Sequence, residues 1–382
     1  SHTPREHHPY SIVFPQKEHR VSESATASAP AKTQPKAKKN RLSSGFFRFV
    51  LTRFLLIIPT VFILVTIVFF VMRATGDPIS AAMGGRLTPE ELQRRIHAAG
   101  YDRPLVVQYL DYLGGLLRGD LGTTLTDNQP VTTILTRYGA ATFELAFLSL
   151  IVALIVGIGL GRLAARRRDH AADAGIRVFA ILCYATPVFF LGLMLKLVFA
   201  VWLNVLPPSG RSSFASDMQF QRLVSPTGFY IIDAFQLGDM SVLVDVLRHA
   251  VLPALALGLL TAGVFIRLVR TNVISTYNSG YVEAARSRGV SEKRLLNKHA
   301  WKPALIPIIT VMGMQIALML AGAVLTETTF EWKGLGFMLS QYLKARDFVA
   351  VQGIVILIAI IVAVVNFLVD VIAALIDPRV RY

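Results

Sequence analysis

The sequence predicts an all-α membrane protein with six transmembrane helices and both termini in the cytoplasm. Three observations support this prediction: the composition is 53% hydrophobic and only 16% charged, six long apolar runs recur along the chain, and the basic residues gather in alternate connecting segments. A soluble protein of 382 residues needs far more polar surface than this. The expected solvent for most of the chain is therefore the lipid bilayer.

The first apolar run, 54–72, carries no charge between Arg53 and Arg73. At about 1.5 Å per residue it spans about 28 Å, close to the hydrocarbon core of about 30 Å. The third run contains Pro187 and Lys196, and the sixth contains Asp370; each is tolerated if it faces protein or reaches an interface. The remaining spans are predicted at 145–161, 178–206, 251–266, 303–325 and 349–376.

The distribution of Lys and Arg predicts the orientation. Ten of them lie in 1–53 and eight in 267–302, and four more arginines follow the second run, at Arg162, Arg166, Arg167 and Arg168. Positive residues hold connecting segments in the cytoplasm, so these three segments are assigned there. The segments 73–142 and 207–248 carry acidic residues that offset their arginines, which fits the external side.

Residues 1–44 are rich in Ser, Ala, Pro, Lys and His, and this composition predicts a disordered, basic cytoplasmic tail before the membrane domain at 45–382. Its basic cluster either binds anionic membrane lipid or serves only to orient the first span: Lys36, Lys38, Lys39 and Arg41. We expect the net charge of +15 to hold connecting segments on the cytoplasmic side of the membrane and not to bind nucleic acid. The first span is expected to act as an uncleaved anchor.

The external segment 73–142 has its own helix signals. Thr88 is a predicted N-cap, Pro89 takes the first helical position and Glu91 completes a capping box. A second helix at 104–117 carries an apolar strip, which we expect to be a packing surface: Tyr109, Leu110, Tyr112, Leu113, Leu116 and Leu117.

Small residues in the spans predict close helix packing. Gly157, Gly159 and Gly161 at the end of the second run would let a neighbouring helix approach closely. Cys183 lies inside an apolar run, where a packing role is expected. Glu144 and Asp370 are expected near the two interfaces in structural roles, while Lys196 lies deeper and would extend its stem outward.

The sequence contains no catalytic or cofactor signature that we can identify. No Gly-Lys dipeptide occurs, so a Walker A phosphate loop is excluded, and the zinc-protease and Gly-x-Ser-x-Gly motifs are also missing. The chain is therefore predicted to be a non-catalytic subunit with no cofactor or metal of its own.

The cytoplasmic loop 271–302 holds the most informative stretch. A short polar helix with small residues at Ala284 and Ala285 would be followed by a turn at Gly289, which can adopt positive φ, and then by a basic helix. Such a helix could enter a cleft on a partner and transmit movement. From the residues alone, an ordinary solvated, positively charged loop explains the stretch equally well.

The pattern Glu283-Ala284-Ala285-x-x-x-Gly289 resembles the EAA loop of membrane subunits in bacterial binding-protein-dependent ABC importers. Nearly the whole chain from residue 48 is similar to the first permease subunit of the dipeptide/oligopeptide/nickel importer family. The stretches that carry the resemblance are 75–78 (TGDP), 102–109 (DRPLVVQY), 114–122 (GGLLRGDLG), 142–146 (TFELA), 252–255 (LPAL), 326–336 (TETTFEWKGLG) and 377–381 (DPRVR).

This resemblance implies a type I ABC importer permease fold in the bacterial cytoplasmic membrane, working by alternating access. It implies as partners a second homologous permease, two cytoplasmic ATPase subunits or domains that carry ATP and Mg²⁺, an extracellular solute-binding protein and a short-peptide substrate. It also implies that Glu283, Ala284, Ala285, Arg286 and Gly289 couple the chain to an ATPase subunit. The loop 207–245 is long for the family, and the tail before Arg41 is an addition to the family pattern.

Three alternatives stay open at this point. The importer could carry nickel complexes or glutathione instead of peptides. The chain could be an ion-coupled secondary transporter that works without an ATPase, although no internal repeat is evident. It could also be a scaffold or sensor whose basic tail recruits partners, which would leave the EAA-like loop unexplained.

Overall fold

The computed structural model describes residues 41–376, apart from the side chains of 41–45, 306, 310, 317 and 321. The described residues from Ser43 onward belong to one compact unit. The predicted basic tail, except for its last residues, and the terminal stretch 377–381 lie outside the described part.

Fifteen α-helices account for most of the described chain, which contains no strand beyond one isolated bridge between Thr123 and Pro130. Two π-helical segments, Lys196–Trp202 and Leu295–Ala300, directly adjoin α-helices. In chain order the helices are α1 (Arg41–Ala74), α2 (Pro78–Met83), α3 (Pro89–Ala98), α4 (Leu105–Leu117), α5 (Val131–Arg166), α6 (Ala171–Ala185), α7 (Val188–Leu195), α8 (Phe214–Phe220), α9 (Tyr230–Leu237), α10 (Met240–Tyr277), α11 (Gly280–Ser287), α12 (Glu292–Arg294), α13 (Trp301–Phe330), α14 (Leu335–Lys344) and α15 (Phe348–Ile376).

Four helical segments in the described residues are individually long and apolar enough to cross a membrane: Phe46–Ala74, Val131–Arg166, Met240–Tyr277 and Phe348–Leu375. Two bent pairs meet the same test when each is taken as one span: Ala171–Ala185 with Val188–Trp202, and Glu292–Leu305 with Pro307–Leu320. The fold therefore supplies between four and six candidate spans.

The predicted third span, 178–206, is not one straight helix. The chain bends by 109° between Ala171–Ala185 and Val188–Trp202. Pro187 causes the break, because it lacks a backbone N–H and disfavours helical geometry at the residue before it. Thr186 is accordingly extended, with ψ of 128°.

Two predicted spans begin earlier than their apolar runs. α5 starts at Val131 and not near residue 145, and α10 starts at Met240, inside the predicted external loop 207–248. The early part of α5 is helical because Ile134 and Leu135 are buried against Leu335 and neighbouring residues, so tertiary packing compensates for the polar residues between them.

Helices α5 and α10 pack most closely along a line of small residues. A Cβ added at Gly157 would lie 2.5 Å from Cβ of Phe265, and one added at Gly161 would lie 2.7 Å from Cβ of Val269. The predicted close approach is confirmed at these two positions. Gly159 has open space around it and takes no part in the contact.

The segment between α1 and α5 follows its local signals. Thr88 Oγ1 accepts the Glu91 N–H at 3.4 Å and Pro89 opens α3, as predicted. The capping box is incomplete, however, because the Glu91 carboxylate contacts Arg95 at 3.1 Å. In α4, Tyr109 packs against Phe69 of α1 and shares a 2.6 Å hydrogen bond with Thr66, which confirms part of the predicted strip as packing surface.

Candidate functional site

The predicted coupling element is a short helix fixed at one side and open at the other. Val282 is fully buried and anchors α11 to the rest of the fold, while Glu283 and Ala284 are exposed and Ala285 is half-buried. One amphipathic turn therefore holds the helix in place and leaves a small, unobstructed face towards solvent.

The turn after α11 depends on Gly289. Its φ is +80°, its N–H donates to the Arg286 carbonyl at 2.9 Å, and the Val290 N–H donates to the Ala285 carbonyl at 3.3 Å. These are the hydrogen bonds that close a helix end when the following residue is left-handed, a conformation that costs residues with a Cβ about 1–2 kcal/mol. The predicted positive φ is confirmed.

Arg286 faces back into the loop. Its Nε donates to Glu292 Oε1 at 2.8 Å, its guanidinium lies 4.9 Å from the Tyr277 ring centroid, and the Tyr277 hydroxyl donates to the same carboxylate. The hydrogen bond to Glu292 raises the pKa of the Arg286 guanidinium. Because the pair is exposed, it positions the loop more than it stabilises the fold.

A second basic segment, at the end of α5, contacts the segment that follows α12. Arg162 and Arg166, at the end of α5, both donate to Oδ1 of Asn297, and the Arg162 guanidinium lies 4.3 Å from the Trp301 ring centroid. The two loops that the sequence assigned separately to the cytoplasm are thus joined at one end of the helix bundle, which we call the α11 end. No pattern in the linear sequence indicated this pairing.

A buried ion pair lies in the first half of α5. Arg211 Nη2 donates to Glu144 Oε2 at 2.6 Å and to the Gly228 carbonyl at 3.0 Å, and the Ile231 N–H donates to Glu144 Oε1 at 2.8 Å. Both charged side chains are almost fully buried. Glu144 thus has the predicted structural role, and it fastens the segment 207–248 to the bundle.

Next to this pair, Glu327 is fully buried at the end of α13. Its carboxylate accepts the Thr142 hydroxyl at 2.7 Å and the Phe337 N–H at 2.9 Å. Thr142 in turn accepts the Leu335 N–H at 2.8 Å. These hydrogen bonds connect the start of α14 to α5 and α13. The motif at 326–336 did not reveal this connection.

The other charged residues in the apolar runs also find partners. Lys196 does not extend to an interface alone; its Nζ donates to the Thr329 carbonyl at 2.9 Å and lies 5.5 Å from the Phe330 ring centroid. Asp370 pairs with Arg53 at 3.4 Å and so connects α15 to α1. Cys183 is buried, in agreement with its predicted packing role.

A further buried acid, Asp173, was not singled out from the sequence. Nε and Nη2 of Arg270 donate to its two carboxylate oxygens at 2.6 and 2.7 Å, which joins the start of α6 to α10 near the α11 end. Among residues 41–376, no group of three or more His, Cys, Asp or Glu side chains could hold a metal ion. Asp173, like Glu144 and Asp370, therefore connects one helix to another part of the fold.

Two family models match the sequence. The model described as the binding-protein-dependent transport system inner membrane component matches residues 157–382, and the model of the N-terminal part of such a membrane component matches residues 46–145. Together they cover nearly all of the helical part of the chain.

Relatives match over almost their whole length. The di/tripeptide transport system permease protein DppB of Pseudomonas aeruginosa is 37% identical over 87% of this chain and 98% of its own. The dipeptide transport system permease protein DppB of Escherichia coli K12 is 37% identical over 88% and 99%. An inward-facing structure of the MetNI methionine ABC transporter has a TM-score of 0.49 at 15% identity, covering 64% of this chain and 97% of that one, a likeness too weak to carry a functional argument.

The model match at 157–382 includes the α11 element and the cluster around Glu327, and the identity to the relatives extends across both ends of the bundle. The resemblance inferred from the motifs is confirmed, and the chain belongs to the family of binding-protein-dependent transport system inner membrane components.

Proposed function

We propose that this chain is one of two transmembrane permease subunits of an ABC importer that carries short peptides across the bacterial cytoplasmic membrane. The proposed partners are a second homologous permease, two cytoplasmic ATPase subunits or domains and an extracellular solute-binding protein. ATP and Mg²⁺ would be bound by the ATPase partners and not by this chain. The named relatives are permeases of dipeptide and di/tripeptide transport systems, and this similarity supports the choice of substrate.

The proposed topology has six spans, with the α11 end and both termini in the cytoplasm. Counting each bent pair as one span gives six. The basic residues of 162–168 and of 267–302 gather at the α11 end, where the positive-inside rule favours the cytoplasm. Residues 207–248 would then lie outside, where a solute-binding protein would dock.

The observation that carries the mechanism is the placement of α11. Its buried Val282 anchors it to the bundle, while its other side offers a small face at Glu283 and Ala284. In the proposed mechanism Glu283, Ala284, Ala285, Arg286 and Gly289 contact the ATPase subunit. Closure of the ATPase pair on ATP would push α11, and the connected helices would move as a rigid body between inward-open and outward-open states.

The turn at Gly289 provides the test. Replacing Gly289 by Val introduces a β-branched residue at φ of +80° and should displace the face of α11. We expect the complete transporter to insert and to hydrolyse ATP, but to lose most peptide uptake stimulated by the solute-binding protein. Uptake and ATP hydrolysis would be measured together in proteoliposomes.

Gly280→Val is the matched control. Gly280 opens the same helix, has no positive φ and has open space around its Cα. Uptake should therefore be close to that of the unmodified protein. Normal stimulated uptake by the Gly289→Val transporter would contradict the coupling role, as would equal losses in the two variants.

The substrate is tested separately with the complete transporter and each candidate solute-binding protein. We expect labelled dipeptides and tripeptides to be taken up in an ATP-dependent manner. Exclusive uptake of a nickel complex or of glutathione would replace the peptide assignment with the corresponding alternative. Uptake by the permease chain alone, driven by an ion gradient, would instead support a secondary transporter.

A further inference from the structure

A cavity of about 510 Å³ opens at the α11 end, between the last turn of α5, the last turns of α10 and the segment beginning at Glu292. Ala165, Val273, Ile274 and Leu296 form apolar wall, and Arg166, Arg168 and Lys293 contribute positive charge. Cavities of this size accommodate small-molecule ligands and headgroup-sized fragments.

The cavity lies where the apolar part of the bundle ends. One helical turn before Ala165 and Val273, α5 and α10 are in close contact at Gly161 and Val269. Ala165 and Val273 themselves belong to an apolar cluster with Ile308 of α13. One side of the cavity therefore continues the apolar interior of the bundle, and Arg166 and Arg168 line another part of it.

The charge of the cavity is not balanced by its own acid. Glu292 is the one carboxylate in the described lining, and it already pairs with Arg286 at 2.8 Å and accepts the Tyr277 hydroxyl. Arg168 pairs only with exposed Asp169 in the described chain, at 3.3 Å, and Lys293 is exposed. An incoming anion would thus meet Arg166 and Lys293, together with Arg168, whose charge is partly offset by Asp169.

We propose that this cavity binds the headgroup of an anionic phospholipid from the cytoplasmic leaflet. The phosphate would lie among Arg166, Arg168 and Lys293, and the glycerol and first methylene groups would contact Val273, Ile274 and Leu296. Basic pockets between transmembrane helices on the cytoplasmic side suit such headgroups. A free phosphate would satisfy the cations but leave the aliphatic wall without a contact, so the lipid uses the whole site.

The location gives the lipid a role in coupling. Glu292, Tyr277 and Arg286 connect the cavity to α11, and Asn297 connects it to Arg166. A bound headgroup would therefore bridge the end of α5 to the segment that follows Gly289. The inference depends on the proposed cytoplasmic placement of the α11 end, but not on the identity of the transported solute.

The test uses the purified transporter with all its subunits, titrated with phosphatidylglycerol and observed by native mass spectrometry. Arg168→Gln/Lys293→Gln removes two lining charges. At about 1 kcal/mol per basic residue near an anionic lipid, this double variant should weaken binding at the site about 30-fold. Arg167→Gln/Arg294→Gln removes the same charge from neighbouring exposed positions outside the lining and should change it little.

Phosphatidylcholine and inorganic phosphate are the comparison ligands. Preferential binding of phosphatidylglycerol that resists millimolar inorganic phosphate and depends on the lining pair would support the site. Equal losses in the two double variants, equal binding of phosphatidylcholine, or displacement by inorganic phosphate would overturn it. Peptide uptake measured on the same preparation tests the proposed function independently, since uptake can fail while lipid binding persists.

Discussion

The contact between α5 and α10 predicts a sharp difference among three glycines of one helix. Carbon atoms in contact are separated by about 3.5–4.0 Å. An alanine Cβ at position 157 would start 2.5 Å from Cβ of Phe265, so the helices would have to separate by about 1 Å. The opposing atom is next to the backbone and cannot rotate away. We expect Gly157→Ala to destabilise the fold by about 1–3 kcal/mol, the usual cost of overpacking.

Gly161→Ala should behave similarly, because its Cβ would lie 2.7 Å from Cβ of Val269. Gly159→Ala is the control: its Cβ meets nothing within 4 Å, and better helix propensity should leave stability unchanged or raise it by up to about 1 kcal/mol. Thermal unfolding of the fluorescently tagged chain in mild detergent, followed by size-exclusion chromatography, would compare the three. Equal midpoints for all three variants would refute the close packing of α5 on α10.

Two buried acids give further predictions. Glu144→Gln should lower the free energy of unfolding by about 3–5 kcal/mol, because it leaves Arg211 buried without its counter-charge. Glu144→Gln/Arg211→Met should regain part of that loss in the same unfolding assay. A Glu144→Gln variant as stable as the unmodified protein would disprove the ion pair. Asp347→Ala removes the carboxylate oxygen that accepts the N–H groups of Leu125 and Thr126 at 2.6 and 2.9 Å, so limited proteolysis should cut the segment between α4 and α5 faster, and an unchanged cleavage rate would count against that anchoring role.

Features set by neighbouring residues were predicted well from the sequence. The N-cap at Thr88 and the positive φ at Gly289 each depend on local backbone chemistry, which a few residues reveal. The 109° bend at Pro187 was not predicted, since 178–206 was expected to form one span. The close approach at Gly157 also followed from residue size. The centres of the long apolar helices followed from hydropathy, since continuous apolar runs of this length have few alternatives to a buried or membrane-spanning helix.

What the sequence did not reveal depends on distant partners. Asp173 and Arg270 look like ordinary loop charges, and only the fold brings them together. The same holds for Asp347 and Leu125, and for the hydrogen bonds from Arg162 and Arg166 to Asn297. Helix ends also escaped prediction, because residues before an apolar run stay helical when other elements bury them. The candidate coupling residues were found by motif, but their support required the structure.

The length of α10 has a mechanical consequence. It runs from its cap at Asp239 to Tyr277, which contacts Glu292 at the α11 end, and it contains Pro253. Its 38 residues make a rod of about 57 Å at about 1.5 Å per residue. If such a rod tilts by about 10° about one end, simple geometry moves the other by about 10 Å. In the proposed mechanism, a small rotation at α11 would therefore move the other end of α10 by about 10 Å.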